Sequence, residues 1–248
     1  MSDPAGRVIG FGGVRVGYGS AVLCALFSVA YVGLQVAEWM GLLGSAGGPG
    51  SASTAAGIAL LLTPSLLLAP SFVALMAAVH DLAPEGRRVW SRLGLSFATI
   101  YAVLVSFVYF VQLTFVLPRM LTGRTEGIEL LLFEPFDSFL YSVDLLGYSM
   151  MSLATLFASA VFSESERRPE RLARSFLFAN GLLLPFLALQ IYLPPLIWAA
   201  SLWAVTFPGA SISLAVVFAR RRAGFAGSPA ELAVRPSSNP PGRRQFHG

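Results

Sequence analysis

Six long, continuously apolar runs constrain this chain more than any other feature. They cover residues 18–43, 55–79, 93–117, 139–162, 176–193 and 196–219. A helix needs about 20 apolar residues to cross the hydrocarbon core of a bilayer. The runs do not alternate polar with apolar, and they are too long for the roughly ten-residue strands of a membrane barrel. The pattern therefore predicts an all-α, polytopic transmembrane bundle of six helices. Composition agrees. Only 12% of the residues are charged, against about 25% in a soluble domain.

Arginine fixes the expected orientation. The chain has no Lys, so all 17 basic residues are Arg. Arg7 and Arg15 precede the first run, and Arg87, Arg88 and Arg92 separate the second from the third. Arg167, Arg168, Arg171 and Arg174 separate the fourth from the fifth, and Arg220, Arg221, Arg222, Arg235, Arg243 and Arg244 follow the sixth. With six spans, all of these share one side, and only Arg119 and Arg124 fall on the other. Basic residues gather in cytoplasmic loops, so both termini are expected inside. The same rule accounts for the pI near 9.6 without a nucleic-acid partner. The layout predicts a cytoplasmic lead-in at 1–17, a transmembrane domain at 18–219 and a disordered cytoplasmic tail at 220–248, rich in Pro, Gly, Ser and Arg.

The first run resembles a signal peptide in its leading Arg residues. Its apolar stretch exceeds the core of about 7–15 residues usual there, and it carries Gln35 and Glu38. A retained helix is expected. Between the first two runs the Gly/Ser/Ala-rich segment 44–54 has a flexible composition. Between the third and fourth, residues 119–138 hold four acids around Leu130-Leu131-Leu132-Phe133. A short interfacial helix is expected there.

Ionisable groups inside a membrane are costly and are functional candidates by default. Asp144 lies about five residues into the fourth run, roughly 8 Å deep at 1.5 Å per residue. Tyr141, Asp144, Tyr148, Ser152 and Thr155 share one helical face. Tyr31, Gln35 and Glu38 form a similar stripe on the first run, and Tyr109 and Gln112 one on the third. Gln190 adds an amide from the fifth. Together Asp144, Glu38, Gln35, Gln112, Gln190, Tyr141, Tyr148 and Tyr109 suggest an outward-facing polar pocket for a small molecule or lipid. The blander account is that amides join helices and that aromatics form the interfacial belt. Pro64, Pro70, Pro185 and Pro208 are expected to bend the second, fifth and sixth helices. Gly33, Ala37 and Gly41 form a small-residue seam suited to close helix packing. The protein could equally be an accessory subunit with a membrane-protein partner, or a homo-oligomer.

Several chemistries are excluded by residue type. Retinal attachment needs a Lys. A haem held between helices needs paired His, yet the two His present are His80, at a span's edge, and His247, in the tail. No zinc-protease pair, phosphate-binding loop or intramembrane Asp dyad is present, and Cys24, alone, allows no intrachain disulfide. No cofactor or metal is expected, and no catalytic residue is assigned.

The second half carries Phe133-Glu134-Pro135, Gly147-Tyr148, Ala154-Thr155-Leu156-Phe157, Pro194-Pro195-Leu196-Ile197-Trp198 and Trp203-Ala204-Val205-Thr206-Phe207-Pro208. In these runs the chain resembles a family of uncharacterised bacterial six-helix integral membrane proteins. The resemblance implies a multi-pass protein of the bacterial inner membrane and implies no activity.

Overall fold

The structure is a computed structural model and describes residues 11–226. Every regular element among them is helical: α1 (Phe11–Trp39), α2 (Ala55–Leu82), α3 (Arg88–Val111), α4 (Leu117–Leu121), α5 (Phe139–Ser159), α6 (Arg168–Gly181), α7 (Leu184–Leu189), α8 (Ile197–Ala200) and α9 (Trp203–Ala226). They build six spans long and apolar enough to cross a membrane. The first two spans are the single helices α1 and α2. The third is α3 continued through a π-helical turn, Gln112–Val116, into α4. The fourth is α5, the fifth α6 plus α7, and the sixth α8 plus α9.

The spans form a closed ring in chain order. Helix α1 packs on α2, α2 on α3, α3 on α5, α5 on α6, α6 on α9, and α9 returns to α1. Small residues let several of these pairs approach closely, as expected where lipid leaves van der Waals packing as the main attraction. A Cβ on Gly94 would lie 3.0 Å from the Ala154 carbonyl, and one on Gly181 would lie 2.8 Å from the Leu156 Cα. The anticipated seam on α1 is not among these contacts. Gly33 is exposed with nothing within 4 Å of its Cβ position, because that face of α1 turns away from the bundle.

Inside the ring, aromatic rings meet in a closed cycle drawn from four helices. Trp203 meets Tyr148 edge-on at 5.6 Å, Tyr148 meets Tyr101 at 5.8 Å, and Tyr101 meets Phe72 at 5.6 Å. Phe72 meets Phe207 at 5.4 Å, and Phe207 stacks on Trp203 at 5.3 Å. The indole N–H of Trp203 donates to Met151 Sδ at 3.2 Å. Edge-to-face and offset contacts of this kind add about 0.5–1.5 kcal/mol each beyond burial.

The Arg-rich end is tied by ion pairs. Arg87 pairs with Glu164 and donates to the Ala160 carbonyl at 2.7 Å. Arg221 reaches Glu170 at 3.1 Å, and Ser165 also donates to Glu170. These contacts correct two expected boundaries. Residues 220–226, assigned to a disordered tail, continue α9, since Arg221 has a partner on α6. Helix α1 starts at Phe11, so residues 11–17, assigned to the lead-in, are helical. Residues 1–10 and 227–248 lie outside the described residues.

Of the four prolines expected to bend helices, one accompanies a break in its helix. Helix α2 runs unbroken through Pro64 and Pro70, and α9 through Pro208. The one is Pro185, in the first turn of α7, and the break falls at Leu182–Leu183.

Candidate functional site

At the Arg-poor end the ring opens around a cavity of about 190 Å³. Every span contributes to its wall. The side chains enter from capped helix ends. Thr54 accepts the Gly57 N–H at the start of α2, and Ser138 accepts the Tyr141 N–H at the start of α5, both at 3.1 Å. Each satisfies a backbone donor that a helix start leaves unpaired. The Ser138 cap sets the register that carries Tyr141, Asp144 and Tyr148 along one face of α5.

Seven of the eight candidates line this one cavity: Asp144, Glu38, Gln35, Gln190, Tyr141, Tyr148 and Tyr109. Some pair with one another. Tyr31 donates to Gln35 at 2.8 Å, Tyr109 to Tyr148 at 3.1 Å, and Tyr141 to Gln190 at 3.4 Å.

Gln112 is the exception. It is fully buried but outside the cavity wall, and its amide N–H donates to the Leu131 carbonyl at 2.6 Å. The helix stays α-helical as far as Gln112, whose N–H still bonds to the Val108 carbonyl, and widens into a π-turn only beyond it. Gln112 lies one turn nearer the loop than Tyr109 and is taken up there. Its role is to pin the 122–138 loop.

The two acids are buried differently from the amides. Glu38 is 2% exposed and neither carboxylate oxygen has a hydrogen-bond partner. Asp144 is 7% exposed, with Oδ1 unpartnered and Tyr109 as its polar neighbour. A buried polar group without a partner is costly, and such groups are few in a native fold. Glu38 rests over Gly57 of α2, where a Cβ would lie 2.8 Å from its Oε1.

Two loops cover the cavity. The 40–54 segment, whose 44–54 stretch has a flexible composition, takes one defined path. Gly41, Gly44, Gly47 and Gly48 all take positive φ, which glycine adopts without steric cost. Ser45 donates to the Glu38 carbonyl at 2.9 Å, Thr54 to the Leu43 carbonyl at 2.8 Å, and the Gly48 N–H to the Trp39 carbonyl at 2.8 Å. Gly48, Pro49, Ser51 and Ser53 then face the cavity. The 122–138 segment holds one 3-10 turn, Glu129–Leu131, in place of the expected interfacial helix. Its Phe133 and Pro135 fold inward to the wall. Phe136 takes φ 69°, a left-handed conformation rare for a bulky residue, and its ring meets Tyr141 at 5.5 Å. At the loop's exposed tip, Glu129 accepts the Gly127 N–H at 2.9 Å. Backbone N–H groups, its own and that of Gly127, hold its carboxyl below the usual carboxylate range.

Sequence reasoning did not find Gly57, the Ser51–Ser53 stretch or Asn180. The last is fully buried at the end of α6. It donates to Thr155 at 3.0 Å and accepts from Thr206 at 2.9 Å, joining three spans beside the break in the fifth. A single Asn in an apolar run was the available signal. Among the described residues, no group of three or more His, Cys, Asp or Glu is placed to hold a metal ion.

Fold and cavity define the class: this is a multi-pass helical membrane protein with a mainly apolar cavity, set with a few polar groups, at one end. No protein-family model matches the chain, and no curated protein or solved structure matches it.

Proposed function

We propose that the protein binds a small molecule in this cavity, as a transporter or sensor of the bacterial inner membrane with both termini cytoplasmic. The observation that carries the reading is convergence. Polar side chains scattered over 150 residues of sequence, from Glu38 to Gln190, come from separate spans to one cavity. Amides and tyrosines serving only as helix glue would pair off singly at separate interfaces. A concave, mainly apolar site with a few convergent polar groups is the usual form of a ligand pocket. The Arg asymmetry supports the orientation, which sets the cavity on the periplasmic side. The test is native mass spectrometry of the protein gently extracted from its own membrane. A discrete bound mass that disappears in Asp144→Asn supports the reading. Protein without bound metabolite, in wild type and variant alike, overturns it.

A second reading, an accessory subunit, draws on the outward turn of Gly33. A small residue facing lipid leaves room for a partner helix. Crosslinking from Gly33→Cys in native membranes tests it. Capture of one stoichiometric protein supports it, and monomer alone overturns it.

A further inference from the structure

We propose that the cavity takes a small organic cation, an ammonium group on a compact apolar body, with Glu38 and Asp144 as its counter-charges. The inference rests on the reading of the cavity as a ligand site and adds the charge and shape of the ligand.

The charge follows from what the acids lack. Glu38 and Asp144 are both buried, both line the cavity and both present unpartnered oxygens. Among the described residues no Arg or His lines the same wall. The two Arg residues at this end are engaged elsewhere. Arg119 lies 3.5 Å over the Phe115 ring and donates to the Phe115 carbonyl, while Arg124 donates to Thr122. As carboxylates, Glu38 and Asp144 together present three buried oxygens to which the chain donates no hydrogen bond, and an unpaired charge in an apolar setting is costly. An ammonium ion supplies both the missing donors and the missing positive charge.

The shape follows from the rest of the wall. Tyr31, Trp39, Tyr109, Tyr148 and Trp203 bring aromatic rings to the cavity. Aromatic faces attract cations, by about 2 kcal/mol or more when water is excluded, and cages of such rings recognise alkylammonium groups. Ile58, Leu61 and Leu62 add an apolar stretch of wall, which suits a compact apolar body better than a ligand polar on all sides. An anion would face two carboxylates. Calcium and magnesium want six or more oxygen ligands and zinc about four His, Cys or carboxylate ligands; two carboxylates do not supply either set. A cavity of about 190 Å³ suits a ring with a short amine arm, since a cavity of about 150 Å³ admits benzene.

The experiment uses the full chain in lipid nanodiscs and four probes built on one phenyl ring. Benzylammonium and benzyltrimethylammonium are the cations, benzyl alcohol is the neutral isostere, and benzoate is the anion. Binding is read by calorimetry and by the shift in melting temperature. Expected is cation binding at least about tenfold tighter than benzyl alcohol, with no binding of benzoate. Glu38→Gln and Asp144→Asn should each abolish that preference. If either variant fails to fold, the probe series on wild type decides alone. Benzyl alcohol or benzoate binding as tightly as the cations overturns the charge assignment and leaves the cavity reading standing. No binding by any probe overturns the cation assignment, and with no bound metabolite in the native protein it removes the cavity reading too.

Discussion

The Glu38 carboxylate lies directly over the Cα of Gly57, so close that a methyl group there would stand 2.8 Å from one oxygen and 2.9 Å from the other. The acid on the first span is seated in a notch that only glycine leaves on the second. The end of a flexible side chain can move aside; a packed backbone cannot. Gly57→Ala should therefore keep the fold but displace Glu38, weakening ligand binding about tenfold or more with a small change in melting temperature. Gly181→Ala meets the Cα of Leu156 at 2.8 Å and should cost about 1–3 kcal/mol of stability. Paired melting and binding curves separate the two.

Gln112 holds the Leu131 carbonyl. Gln112→Leu removes that tether and leaves the helix intact. Global stability should fall by no more than about 1.5 kcal/mol. Protease cleavage and hydrogen exchange within 122–138 should rise sharply, while 40–54 stays protected. Equal protection of both loops in the variant would show that the tether is dispensable.

Trp203 belongs to the aromatic cycle, to the cavity wall and to a bond with Met151. Trp203→Ala should cost roughly 3 kcal/mol and abolish ligand binding. Trp203→Phe keeps a ring and loses the N–H donor. It should recover most of the stability, and thermal melts of the two variants check this.

Asn180 bridges Thr155 and Thr206. A double-mutant cycle on Asn180→Ala and Thr206→Val should give a coupling energy near 0.6 kcal/mol, the average for hydrogen bonds between membrane helices. A coupling of zero would mean that the break in the fifth span does not depend on this network.

Single cysteines in a Cys24→Ala background test the orientation. A52C and E126C should react with a membrane-impermeant maleimide in intact cells, and G86C and E166C only after lysis. The reverse pattern would invert the positive-inside assignment and turn the cavity toward the cytoplasm.

The six spans were legible because hydrophobic length is a one-dimensional signal that tertiary packing does not alter. Asp144 and Glu38 were legible for a related reason, since charge in an apolar run is visible letter by letter. Convergence was harder to read. The stripes on α1 and α5 have ordinary α-helical spacing, and the residues they predicted share the cavity. Gln112 keeps its α-helical spacing from Tyr109, yet the loop carbonyl of Leu131 takes its amide, and spacing within a helix does not show where a distant loop folds back. The path of the 40–54 loop was not legible for another reason. Glycine-rich composition describes the freedom of an unfolded segment, whereas four positive-φ glycines spend that freedom on one tight fold over the cavity.

The closed ring has a consequence for biosynthesis. Each span neighbours the one made just before it, so a helix leaving the insertion machinery finds its partner already waiting. The exception is the seam between α1 and α9, whose halves are made first and last. Until the sixth span arrives, the first has an open flank. Trp203, which closes the aromatic cycle and meets Tyr31 at 5.6 Å, is also not yet in place. A chain truncated before residue 203 can insert five helices and still lack a binding site, so ligand binding reports completion of synthesis itself.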